Sequence, residues 1–176
     1  MLNRRAFLVT GAAAAFVVVK PATALMAPER KIFLANPHTG ETFHDLYWQG
    51  GDYIAESLRS IDILMRDHLT DEICHIEPDL IDILARLRQK VGFVKPIHVN
   101  SGYRSPRTNA AERRVNRHVA RNSFHMQGMA VDISVPGFNL AKLRRAALDL
   151  KAGGVGTYPG ANFIHLDVGP VRTWAS

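Results

Sequence analysis

The 176-residue chain has a single cysteine, Cys74, so no disulfide can form within it even in an oxidising compartment, and packing is the role left to that side chain. No apolar run reaches the roughly 20 residues that a spanning helix needs; the longest, over residues 9–19, falls short. No internal repeat and no low-complexity tract is present, which excludes solenoid and linker architectures. Gly153-Gly154-Val155-Gly156 has three glycines in four positions, but no Lys-Ser or Lys-Thr follows and no helix opens there, which excludes a phosphate loop and leaves close approach of two strands as its reason. The excess of positive charge is also small. The formal charge is +6, and Arg4, Arg5 and Lys20 with no acid among residues 1–24 account for three of it, leaving +3 for the remainder. That is too little for a nucleic-acid binder.

What is present begins with Asn3-Arg4-Arg5-Ala6-Phe7-Leu8, then the apolar centre, then the small residues Ala22-Thr23-Ala24. Charged start, apolar centre and small residues in that order form an export signal. The paired arginines resemble a bacterial twin-arginine signal, which makes the twin-arginine export machinery an expected partner. Cleavage near Ala24 leaves residues 25–176, a length that suits one domain, with no stable membrane anchor.

The stretch Ser123-Phe124-His125-Met126-Gln127-Gly128-Met129-Ala130-Val131-Asp132 places an imidazole and a carboxylate seven positions apart around a glycine. Fully extended, that span would separate them by about 23 Å, beyond the reach of one metal ion. The chain is therefore expected to turn near Gln127-Gly128 and to enter a strand, because Val131, Ile133 and Val135 alternate as β-branched residues. On that strand Asp132 shares a face with Ala130 and Ser134, away from the apolar set. Phe163-Ile164-His165-Leu166-Asp167-Val168 repeats the period, with His165 and Asp167 on one face. If the two strands are neighbours, His125, Asp132 and His165 make a three-ligand zinc site with a fourth position left for water. His38 and His44 have no partner at ligand spacing and read as surface residues.

The rest of the chain supplies supports. Strands are expected at 31–35 and 41–48, joined by a turn at Asn36-Pro37-His38-Thr39-Gly40, with Tyr47 and Trp48 either capping the core or lining a groove. A helix capped by Asp52 is expected to run to about 68–70 on Ile54, Leu58, Ile61 and Met65. A second opens at Pro78-Asp79 and closes at Gly92; Arg86, Arg88 and Lys90 form its solvated face. Pro96-Ile97-His98-Val99-Asn100 forms a strand feeding Ser101-Gly102-Tyr103-Arg104-Ser105. Arg104 there either meets a substrate carboxylate or carbonyl or ties the loop to the protein. Residues 110–115 are expected to be helical, and Asn139 caps a helix that buries Leu140, Leu143, Ala147 and Leu150.

Ser123, His125, Gly128, Ala130 and Asp132 together resemble the first half of the zinc signature of the D-Ala-D-Ala metallopeptidases and the hedgehog signalling domain. With Ser101-Gly102-Tyr103-Arg104-Ser105, Gly153-Gly154-Val155-Gly156 and Phe163-Ile164-His165-Leu166-Asp167, the chain is similar to the murein endopeptidase K family of Gram-negative bacteria. The resemblance implies an α+β fold, a small central antiparallel sheet flanked by helices, with one zinc held by His125, Asp132 and His165. It further implies hydrolysis of the stem-peptide cross-links of peptidoglycan in the periplasm. Many relatives end in His-x-His or Glu-x-x-His, whereas this chain has His165-Leu166-Asp167. Asp167 is thus the candidate proton acceptor, or else the carboxylate that orients a ligand imidazole. The rival activities are a D,D-carboxypeptidase on the same polymer and a zinc-stabilised cell-wall binding protein without catalysis.

Overall fold

Ile32 and Leu34 are buried between more exposed neighbours, and this period-2 pattern becomes strand β1 (Arg30–Ala35) of the computed structural model, which describes residues 29–117 and 119–176. The expected hairpin forms: β1 runs antiparallel to β2 (Thr42–Gln49). Asn36 closes its turn, accepting from the His38 and Thr39 N–H groups and donating to the Leu64 carbonyl. Tyr47 belongs to the core, fully buried with its hydroxyl donating to Asp82. The export signal expected over residues 1–24 lies outside the described residues.

Asp52 does not cap a helix. Gly50 and Gly51, at φ 65° and 103°, turn the chain straight back, and Asp52–Tyr53 pair with Gln49 and Trp48 as a short third strand, β3. Helix α1 (Ala55–Leu64) starts after this strand without a side-chain cap and stops before the expected 68–70, because Asp67 organises the following turn. Helix α2 (Pro78–Val91) has the expected ends, with proline in its first turn and Gly92 at φ 74°. Strand β4 (Ile97–Ser101) leads to helix α3 (Pro106–Val115), capped by the Ser105 side chain, which accepts from Thr108 N–H. After a short 3-10 turn (Phe124–Gln127) come β5 (Ala130–Ser134), helix α4 (Leu140–Leu150) capped by Asn139, β6 (Gly154–Tyr158), β7 (Phe163–Asp167) and β8 (Arg172–Ala175).

The strands form one sheet in the order β3-β2-β1-β4-β5-β7-β6-β8. Its centre, β4-β5-β7-β6, is antiparallel, as the α+β resemblance implies; the pairings β1 with β4 and β6 with β8 are parallel. Val131, Ile133, Ile164 and Leu166 are buried in one cluster with Leu84 and Leu87 of α2 and Leu143 and Ala147 of α4. Each such leucine or isoleucine contributes about 1.5–3 kcal/mol. The alternate residues of β5 and β7 are thereby committed to the opposite face. No helix among the described residues is long and apolar enough to cross a membrane.

The segment after α1 braces the loop at 101–105. Met65 O accepts from Tyr103 N–H at 2.7 Å, and a Cβ on Gly102 would sit 2.7 Å from Met65 Cβ. Asp67, 2 % exposed, accepts from the Ser105 and Leu69 N–H groups at 2.9 and 3.0 Å. Burial alone would raise its pKa, but hydrogen bonds from Thr108, Ser105 and Leu69 outweigh it and bring the carboxyl from 3.8 down to about 2. A depressed folded-state pKa means stability that is complete above the unfolded value and lost as pH falls through the folded one, worth about 2 kcal/mol. Asp67→Asn should therefore lower the unfolding free energy at pH 7 by about 2 kcal/mol in urea titrations, and the gap from wild type should close between pH 4 and 2.

Candidate metal centre

Asp132 and His165 stand directly opposite each other on β5 and β7, so both side chains leave the sheet on the face away from the core. The adjacency that the sequence left open is thus present. His125 is delivered by the 3-10 turn, whose first N–H groups are met by Ser123 and whose end is Gly128 at φ 68°. A Cβ at Gly128 would collide with the His75 carbonyl, so the glycine is needed for conformation and for space.

All three side chains are buried, and each offers one atom to a cluster within 4.8 Å. His125 Nε2 lies 3.3 Å from Asp132 Oδ1, His165 Nδ1 lies 3.0 Å from the same oxygen, and the two nitrogens are 3.1 Å apart. The outward nitrogens are already engaged. His125 Nδ1 donates to the Gly102 carbonyl at 2.7 Å, and His165 Nε2 donates to Asp167 Oδ2 at 3.0 Å. Each tautomer therefore turns a lone pair towards Asp132. Three acceptors facing one another in a buried site repel unless a proton or a metal cation sits among them. Tetrahedral bonds of about 2.0 Å would hold such atoms about 3.3 Å apart, and the observed spacing fits that. Among the described residues no other group of three histidine, cysteine or acidic side chains comes together in this way.

Asp132 and Asp167 both lie well below the ordinary carboxylate range. Burial opposes this in each; for Asp132 the two imidazoles outweigh it, and for Asp167 the His165 and Arg172 hydrogen bonds and the Gly169 N–H do so. Burial would lower the His165 pKa, but hydrogen bonds to Asp132 and Asp167 raise it overall.

A cleft of about 470 Å³ opens over the cluster. Of the five residues named from the sequence, Arg104, His125, Asp132 and His165 line it. Asp167 does not; its carboxylate sits behind His165, fully buried, and its oxygens also accept from Arg172 and from the Gly154 and Gly169 N–H groups. Arg104 is 7 % exposed, with NH1 on Glu112 at 2.6 Å and NH2 3.5 Å from Asp132 Oδ2. Its buried Nε has no hydrogen-bond partner among the described residues. Tyr158, Phe163, Phe124 and Trp174 add aromatic walls, and the Trp174 ring lies 5.2 Å from that of His165. His38 and His44 are exposed, as expected, and stack on His68 and Phe33.

Sequence reasoning missed Glu112, Arg172 and Asp67. Glu112 left no signal in the sequence, because the burial of Thr108 and Asn109 one turn before it shows only in the structure. Arg172 and Asp67 had none, since their partners are defined by strand pairing and by a loop contact.

The family model described as peptidoglycan L,D-endopeptidase MepK matches residues 24–174. The protein of that name from Escherichia coli K12 is 41 % identical over 176 residues, covering 98 % of this chain and 97 % of its own. A probable peptidoglycan L,D-endopeptidase MepK from Haemophilus influenzae is 37 % identical over 177 residues, covering 98 % and 95 %. A match spanning both the ligand cluster and its supports, at this identity and coverage, means that the chain belongs to the MepK family of murein endopeptidases.

Proposed function

We propose that this protein is a zinc-dependent peptidoglycan endopeptidase that hydrolyses an L,D-peptide bond in the stem-peptide cross-links. The observation that carries the reading is the set of three convergent lone pairs at the floor of an open cleft. The name borne by its relatives supplies the substrate class. Export to the periplasm by the twin-arginine route, with the leader removed near Ala24, rests on the sequence of residues 1–24 and places the enzyme beside its polymer.

His125 Nε2, Asp132 and His165 Nδ1 would hold the ion. When bound, zinc supplies a Lewis acid that polarises a peptide carbonyl and lowers the pKa of water from about 15.7 to about 7. Gly102 O and Asp167 keep the two imidazoles in the ligating tautomer, so Asp167 acts as a positioning residue. Arg104, which lines the cleft, would stabilise the negative charge that develops on the oxygen of the scissile carbonyl. The aromatic walls exclude water from one side of the bound peptide.

Digestion of purified cross-linked muropeptide dimers, read by mass spectrometry, tests this. Conversion of dimers to monomers should stop with chelator and return with added zinc. Release of a terminal D-Ala from intact dimers would make the protein a carboxypeptidase, and absence of any cleavage by zinc-loaded protein would make it a binding module. His125→Ala and His165→Ala should lose both zinc, by elemental analysis, and activity. Asp167→Asn should weaken zinc affinity by about 10- to 100-fold while excess zinc restores most of the turnover. Wild-type affinity with lost turnover would return Asp167 to the role of proton acceptor.

A further inference from the structure

With Asp167 enclosed behind His165, the hydrolysis proposed above still needs a group that can take a proton from water and give it to the departing amine. The charged side chains lining the cleft are Arg104, Glu112, His125, Asp132, His165 and Arg172. Three of these form the ligand set and two are guanidinium groups that stay protonated. Among the described residues that line the cleft, only Glu112 is a carboxylate outside the ligand set.

Its placement suits proton transfer. Glu112 projects from α3, a helix whose cap, Ser105, follows Arg104 directly and whose residues Thr108 and Asn109 are buried. Its Oε2 is 2.6 Å from Arg104 NH1, and the other arm of the same guanidinium approaches Asp132 Oδ2. One planar group therefore separates Glu112 from a ligand carboxylate. The Glu112 side chain is 39 % exposed, so water and substrate can reach it, while the Asp167 side chain is 0 % exposed. Arg104 is thus positioned to pass between its resting partner and a substrate oxygen.

We propose that Glu112 is the catalytic proton acceptor and donor of this site, an assignment that rests on the endopeptidase reading above. The Glu112 carboxylate takes one proton as the water oxygen bonds to the peptide carbonyl carbon. When the C–N bond breaks, its electron pair leaves with nitrogen, and Glu112 returns the proton to that nitrogen. The products are one carboxylic acid and one amine, and Glu112 ends ionised as it began. Burial raises the Glu112 pKa above the ordinary glutamate value; Asp132 and Asp67 add to this against the opposing pull of Arg104 and His125. A carboxylate moved in that direction is a better base near neutral pH.

The test compares full-length zinc-loaded wild type with Glu112→Gln on muropeptide dimers, alongside zinc affinity by chelator competition and an NMR titration of the Glu112 carboxyl in the zinc-free protein. Glu112→Gln should retain wild-type zinc affinity and thermal midpoint, lose about 10²- to 10⁴-fold in kcat, and lose the acidic limb of its pH profile. The wild-type carboxyl should titrate above the ordinary glutamate range. A fall in kcat of less than a hundredfold, loss of zinc together with activity, or a carboxyl titrating below that range would reduce Glu112 to a counterion of Arg104. Failure of wild type itself to cleave the dimers would overturn the endopeptidase reading and this assignment with it.

Discussion

The mutual repulsion of three lone pairs is the constraint that the packing around the site has to withstand. His125, Asp132 and His165 turn lone pairs towards one another, because the Gly102 carbonyl and Asp167 already accept from the imidazole N–H groups on the outer side. Left alone, that arrangement would relax by rotating a ring or by taking up a proton. It is held by groups that cannot easily move. Gly102 is pressed against Met65, and Asp132 and His165 sit on adjacent strands whose other faces are buried in the core. Packing on the apolar face of the sheet thus supports the unfavourable approach of acceptors on its polar face, and a bound cation would turn that cost into binding energy.

Two rows of side chains cross the sheet on that polar face. One runs through Asp132, His165, Gly156 and Trp174, and the other includes Ala130 and Asp167, with Gly154 and Arg172 paired beyond them. The glycines explain how groups on β8 touch β7 across an intervening strand. A Cβ on Gly156 would lie 2.6 Å from the Trp174 ring, and one on Gly154 would lie 2.5 Å from both Arg172 and Asp167. With no side chain in the way, Trp174 reaches His165 and Arg172 reaches Asp167. Support for the ligand histidine therefore comes from an edge strand as well as from the centre of the sheet.

Much of this was legible in the sequence wherever a period or a spacing carried it. The alternation of Val131, Ile133 and Val135, and of Ile164, Leu166 and Val168, is enough to send Asp132 and His165 out of the core, and Gly128 marks the turn that brings His125 back. Pro78, Gly92 and Asn139 mark helix ends by local chemistry. Asp52 misled, since a good capping residue after two glycines serves equally well in a tight hairpin, and pairing with Gln49 decides between them. Contacts between distant segments carry no local signal: the parallel pairing of β1 with β4, the brace from Asp67 to Ser105, and the reach of Arg172 to Asp167. Glu112 was hidden differently, by the arginines that follow it on a helix that otherwise looks solvated.

Because β8 contributes Trp174 and Arg172 to the cleft wall but none of the three ligand atoms, the chemistry and the fit are inscribed on different strands. Substitutions along β8 would recut the shape and charge of the wall without removing one of the three clustered atoms, and those at Arg172 and Trp174 would also change how His165 is supported. An edge strand has only one neighbour to satisfy, so it tolerates such change better than β5 or β7. Wall and support thus meet in the same two side chains, so a change of fit at Arg172 or Trp174 is also a change in how firmly His165 is held.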